Sequence, residues 1–380
     1  MQVAVHPELL RWACERAGFN THMVAEKIPQ LPAWERGEKR PTLKQLEKFA
    51  DKVHVPVGYL FLSAPPAEHL PIPDFRTVGN LKIGHPSPDL LETIYLCQQR
   101  QEWYRDFSVT AREDTRNFVG SAALRDDPMV VAENIRFTLG FDIDSRSKMH
   151  TWEEALRRFI AEADTAGIMI MVSGIVGSNT HRKLDHNEFR GFTLCDERAP
   201  LVFINGSDTK SAQMFTLAHE LAHVWLGKTG LSDLAPVSVP TNDIEKWCNS
   251  VAAETLVPLA LMRSEFNVSG NLSEEYNRLA RYFKVSIQVI IRRLYDCGFL
   301  SRTTYEQTYD EELERLLAIT KGKGGDYYRT QPARVSRRFA RALIASTLEG
   351  QTLHRDAFRL LGLKKMSTFH ELSARLLGVV

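Results

Sequence analysis

The chain reads as a mainly α-helical protein with one small mixed β-sheet, and three observations predict that class. Apolar residues recur at three- and four-residue spacing through most of the 380 residues. Only three short apolar segments, IMIMV (168–172), FRGFTLC (189–195) and LVFIN (201–205), have the composition of strands. Proline- and glycine-rich breaks divide the helical stretches into an N-terminal bundle, a central α+β domain and a basic helical extension.

Taken in order, residues 6–17 place Leu9, Leu10, Ala13 and Ala17 on one helical face. A turn at 18–20 precedes a short helix over 21–28, with Thr21 as its N-cap. PQLPAWERGEKRPT, a helix over 43–53 and VPVGYLFL complete a first domain, residues 1–63. Residues 64–77, APPAEHLPIPDFRT, hold four of the 17 prolines. Proline fixes φ and removes a backbone donor, so 64–87 is expected as an extended linker or strap. A region expected to be mainly helical follows over 88–140, then a helix over 151–166 stopped by Gly167. The strand at 168–172 and a hairpin turning at 196–200 come next, and helices return over 208–226, 242–255 and 273–283. The central domain is thus 88–300. A helix and a Gly-rich linker (301–325, with KGKGGD as the break) lead to a basic helical C-terminal domain, 326–380. No internal repeat of 20–50 residues is visible.

Composition narrows the function classes. With 43% hydrophobic and 25% charged residues the chain is an ordinary soluble protein, and its length favours two or three domains. The first residues show no apolar run behind a basic stretch, and no window holds eighteen apolar residues, so neither a secretory signal nor a membrane span is expected. The five cysteines, Cys14, Cys97, Cys195, Cys248 and Cys297, are scattered and form no CxxC pair. This is the pattern of a reduced cytoplasmic protein without a disulfide framework or a thiolate zinc site. The net charge of +1 conceals an asymmetry: +2 over residues 1–60, −9 over 61–320 and +8 over 321–380. The tail is therefore the part expected to face an acidic partner.

The segment FTLAHELAHVWLG (215–227) carries the chemistry. On a helix, residues four apart share a face about 6 Å apart along the axis, so His219 and His223 can aim their imidazoles at one divalent ion. Glu220 stands beside them, placed to take a proton from an activated water rather than to bind the ion. Met214, Leu217, Leu221 and Val224 supply an apolar wall, and Gly227 a helix stop. A third ligand is sought on the following helix, where IEKWCNSVAAETLVP (244–258) offers Glu245 and Glu254. Nine residues apart, these carboxylates point to nearly opposite sides. Glu245 is preferred because Asn249 shares its face and can hydrogen-bond the distal nitrogen of a ligand histidine; Glu254 stays open as the alternative.

These two segments together, HELAH and EKWCNSVAAETLVP after the LVFIN hairpin, resemble the ImmA/IrrE family of metallopeptidases over roughly residues 150–300. The resemblance implies Zn2+, a gluzincin-like helix pair, and site-specific cleavage of helix-turn-helix repressor proteins. By motif position it makes His219, His223 and Glu245 the ligands and Glu220 the general base of a zinc endopeptidase. The competing expectation is a DNA-binding transcriptional regulator or antitoxin whose peptidase domain serves as scaffold.

The two ends bear on that alternative. WERGEKRPTLKQLEKFADKVHVP (34–56) resembles an Xre-type helix-turn-helix module. In that family the third helix reads bases. Here the corresponding stretch is IPQLPAW, where Gln30 is the one obvious reader, and a local charge of +2 is weak for phosphate binding. LARYFKVSIQVIIRRLYDCGFLS (279–301) reads either as a second such motif or as a packed buttress behind the zinc helices, and the buttress is preferred. In the tail, Arg334, Arg337, Arg338 and Arg341 recur at three- and four-residue spacing, with Val335, Phe339, Ala342 and Leu343 left for the buried side. They are expected to form a basic stripe for an acidic or nucleic-acid partner. The tail is similar to the extension of long ImmA/IrrE proteins, which implies an antitoxin role beside a PIN-nuclease-type toxin and an association with stress response.

Overall fold

The computed structural model describes residues 2–75, 86–232, 242–317 and 333–378. They form two compact units: Met1–Pro71 with Asn80–Tyr95, and Ile72–Gly79 with Leu96–Val380. KGKGGD and the residues after it up to 332 lie outside the described residues.

The first unit is helical. Helices α1 (Pro7–Arg16), α2 (Thr21–Ala25), α3 (Leu31–Glu35) and α4 (Leu43–Lys52), with a 3-10 turn at Val57–Phe61, enclose Leu9, Leu10, Leu31, Trp34, Leu46 and Phe49. Helix α4 begins with a capping box: Thr42 accepts from the Gln45 backbone while the Gln45 side chain accepts from the Thr42 N–H. Asn20, not Thr21, caps α2, its side chain accepting from His22 N–H. That helix ends at Ala25 rather than at 28 because Ile28 precedes Pro29, whose ring disfavours the helical region for its predecessor. Gln30 is exposed and sits at the N-cap of α3.

The second unit is built on a four-stranded sheet of order β1-β3-β2-β4: β1 (Met169–Ser173), β2 (Gly191–Leu194), β3 (Leu201–Asn205) and the two-residue β4 (Gly230–Leu231). β1 runs parallel to β3 and β2 antiparallel to it, with Met169 opposite Leu201 and Phe192 opposite Phe203. Helices cover the sheet, which explains the uninterrupted apolar runs of its strands: nearly every strand residue is buried. Helix α5 (Pro88–Thr110) enters this unit from Leu96 onward, followed by α6 (Pro128–Leu139), α7 (Ile143–Ser147) and α8 (Trp152–Ala166). The expectation of a mainly helical 88–140 needs correction over 111–127, which is irregular. The backbone there serves a different purpose. Gly120 and Ala122 donate to the carbonyls of Val224 and Trp225 in the last turn of α9 (Lys210–Leu226), where Val224 O also accepts from the Gly227 N–H. The close approach also excludes a side chain at Gly227, whose Cβ would lie 2.9 Å from the Gly120 Cα.

Helix α10 (Asp243–Leu256) packs on α9 and α6, and α11 (Leu259–Glu265), α12 (Leu272–Phe283), α13 (Ile287–Asp296) and α14 (Arg302–Leu317) follow. α12 and α13 turn on Lys284, at φ 53°, and bury Leu279, Phe283, Ile290, Ile291 and Leu294 in the same core as the sheet and α9. That is the buttress arrangement.

In the C-terminal segment, α15 (Arg337–Leu348), α16 (His354–Leu361) and α17 (Met366–Leu377) belong to this same unit. The expected arginine stripe is broken there. Ser336 stands at φ 65°, so Arg334 does not share a helix with the other three. Arg338 turns inward: it donates to Tyr104 Oη at 2.6 Å and Glu113 Oε2 at 2.7 Å, and its guanidinium lies over the Tyr104 ring. Asp164 accepts from both Ser336 Oγ and the Arg338 N–H, capping α15 from α8. Arg337 and Arg341 alone are exposed. Ala342 is half-buried, and Ala340 instead joins Phe339 and Leu343 in the core.

Candidate metal centre

The site starts from helix α9. Thr209 caps its first turn, accepting from Ala212 N–H, and Gly227 at φ 67° ends it. Between them every residue from Thr216 to Leu226 is buried, so the helix runs through the core with its histidines inside. Helix α10 crosses it, capped by Asn242. Its far end is held by three arginines: Arg136 donates to Glu254 O, Arg146 to Leu256 O, and Arg293 to Val257 O. Cations at the carbonyl end of a helix satisfy its unpaired acceptors and oppose its dipole. This clamp orients the helix whose other end carries Glu245.

His219 Nε2 and His223 Nε2 lie 3.1 Å apart, and the Glu245 carboxylate is 3.3 Å from the first and 3.1 Å from the second. Four-coordinate zinc with bonds near 2.0–2.1 Å separates neighbouring donors by roughly 3.3 Å, so the three groups fit one such ion. All three side chains are wholly buried. The ring of His219 is set by Asn249, whose Oδ1 lies 2.9 Å from Nδ1. Burial works against a charge on Glu245, but the two imidazoles beside it prevail and hold its carboxyl down at about 2.

Glu220 is buried on the neighbouring face. The Thr193 hydroxyl donates to its Oε2 at 2.7 Å, which leaves Oε1 without a hydrogen-bond partner. Burial pushes this carboxyl up to about 7, against the pull of His219 and of the Thr193 and Ser232 hydroxyls. Gly191 makes room for it: a Cβ there would lie 2.9 Å from Glu220 Oε1 and 2.8 Å from Thr216 Cγ2.

Among the residues singled out from sequence, the fold brings His219, His223, Glu245 and Asn249 together with Glu220 adjoining. Glu254 lies elsewhere, its carboxylate bound by Arg293 at 2.6 Å and by the Leu259 N–H. Gln30 and the four tail arginines have no place in the cluster. Sequence reasoning missed Thr193 and Gly191. Both lie in β2, and only their position opposite α9 gives them a role. It also missed Phe75, whose ring stacks on His223 at 5.7 Å between centroids and 7° between planes. Beside the cluster, a cavity of about 850 Å³ is lined by Asn249 and Thr216, with Arg190, Lys246, Arg263 and Tyr305 further along it.

Among the described residues no helix is long and apolar enough to cross a membrane. The chain matches no curated protein and no solved structure. Residues 335–375 match a family model described as a domain of unknown function. Residues 163–295, which contain the sheet, α9, α10 and α13 up to Tyr295, match the peptidase family described as IrrE N-terminal-like domain, and that match supports an ImmA/IrrE-type peptidase domain in this segment.

Proposed function

We propose that the protein is a zinc-dependent endopeptidase that cuts a regulatory protein of the helix-turn-helix type. The observation that carries this reading is the convergence of His219, His223 and Glu245 at the spacing of a four-coordinate ion, with a carboxylate that binds none of them directly alongside. A bound zinc ion polarises a carbonyl and acidifies water. The chain's own residues do the rest. Thr193 anchors Glu220 through Oε2, so Oε1 is the atom that accepts a proton from water and passes it to the leaving amine. Asn249 fixes the orientation of the His219 ring. The buried setting keeps bulk water away, which strengthens each of these interactions. A regulator as substrate is the reading that the IrrE-like match favours over other proteins.

Two measurements test it. Elemental analysis of protein purified without chelator should find one zinc per chain, falling away in His219→Ala. Partners recovered with the protein should then be cut by the wild type and left whole by Glu220→Gln. A metal-free wild type, or equal cutting by Glu220→Gln, defeats the proposal.

A further inference from the structure

The edge of the sheet next to the cluster is already paired. β4 has β2 on one side, with Phe192 opposite Leu231. On the other side Phe75 N–H donates to Leu231 O at 2.8 Å and Leu231 N–H donates to Pro73 O at 2.9 Å, a parallel bridge centred on Asp74. The segment Ile72–Phe75 thus adds to β4 as a further strand would. Ile72 is buried, while Pro73 and Asp74 are exposed. The same pairing lays the Phe75 ring flat on His223. Gly230 permits this: a Cβ there would come within 2.2 Å of the Phe75 ring, and its backbone lies outside the left-handed region, so the ring is what excludes a side chain. Two hydrogen bonds and a half-buried ring are a modest hold, and Pro71 and Pro73 lack the N–H groups that would extend it.

An exposed strand edge is a template for another extended chain, with backbone bonds supplying affinity and alternate side chains supplying selection. We propose that the β4 edge is the docking strand for the peptide to be cut, that it selects an extended segment presenting an aromatic side chain over His223, and that Pro73–Phe75 holds this place in cis until a substrate displaces it. The identity of the occupant as substrate rests on the peptidase reading; the edge site itself does not. A tethered occupant competes at an effective concentration on the order of millimolar, so freeing the edge should tighten binding in trans by about tenfold or more.

The experiment uses metal-free full-length protein and a fluorescein-labelled peptide of sequence LPIPDF, followed by anisotropy. Wild type should bind it weakly and Phe75→Ala at least about tenfold more tightly, since the aromatic subsite is then vacated. Adding Gly230→Ala to Phe75→Ala should abolish that gain, because the incoming ring has no room. A peptide ending in Ala in place of Phe should bind all variants weakly. If Phe75→Ala fails to fold, Phe75→Leu carries the same comparison. Equal binding by wild type and Phe75→Ala, or a gain that survives Gly230→Ala, overturns the proposal. Zinc-loaded protein with β-casein as an unfolded probe separates the two ideas. Equal cleavage by wild type and Phe75→Ala keeps the peptidase and sinks the occupied edge. Tight peptide binding by Phe75→Ala without any cleavage keeps the docking strand and counts against the peptidase.

Discussion

The helix pair α9–α10 and the arginine run at 334–341 were both read from side chains at three- and four-residue spacing, and they fare differently in three dimensions. In the first, His219 and His223 lie on one helix, and the partner they need is a carboxylate on the next helix in the chain. In the second, the spacing of Arg334, Arg337, Arg338 and Arg341 is just as regular, yet Ser336 breaks the helix and Arg338 leaves the face. Its partners Tyr104 and Glu113 come from the far side of the sequence. Helical periodicity says which residues share a face. It does not say whether that face meets solvent, and the Arg338 guanidinium goes to the half-buried carboxylate of Glu113 within its reach.

Substitutions sharpen that contrast, and the largest effects belong to the helix pair. Glu220→Gln should lower the cleavage rate by about 10²–10⁴ while zinc content and melting temperature stay near wild type, as loss of a general base does. A comparable loss of zinc would return Glu220 to a structural role. Asn249→Ala leaves the His219 ring unoriented and should weaken zinc binding by roughly 10–100-fold, read by chelator competition. Unchanged affinity would make the Asn249 contact incidental. Gly191→Ala pushes against Glu220 Oε1 and should cost cleavage rate on the order of tenfold or more with zinc retained, given how steeply rate falls with misplacement of a reacting group. The smallest effects separate the arginines. Arg338→Ala should destabilise the fold by about 1–3 kcal/mol in denaturant titration, because Glu113 and Tyr104 lose a charged partner. Arg337→Ala and Arg341→Ala, both on the surface, should stay within about 0.5 kcal/mol. Equal effects at all three positions would restore the single stripe.

Much of the molecule was legible without coordinates. The strand at 201–205 and the helices expected over 208–226, 242–255 and 273–283 are visible as runs of apolar spacing, the first helix stopped by Gly227, because periodicity is a local property of the chain. The structure sets those helices at Lys210–Leu226, Asp243–Leu256 and Leu272–Phe283, with Thr209 and Asn242 as caps of the first two. The pairing of Asn249 with a histidine of the motif, His219, was legible for the same reason, since it needs only a shared helical face with Glu245. The irregular course of 111–127 was not, because its apolar residues look helical until one sees that the end of α9 needs its backbone donors.

Sequence by itself determined the mainly helical class with its small sheet and the placing of two imidazoles and a neighbouring carboxylate on one helix; all of these follow from spacing of a few residues. Tertiary structure alone decided that Glu254, left open by the sequence, goes to Arg293, that Thr193 and Gly191 shape the setting of Glu220, that Phe75 lies on His223 and that Arg338 points inward. Each of those outcomes depends on which distant segment packs opposite, and burial sets that through the whole core rather than through any one residue's neighbours along the chain.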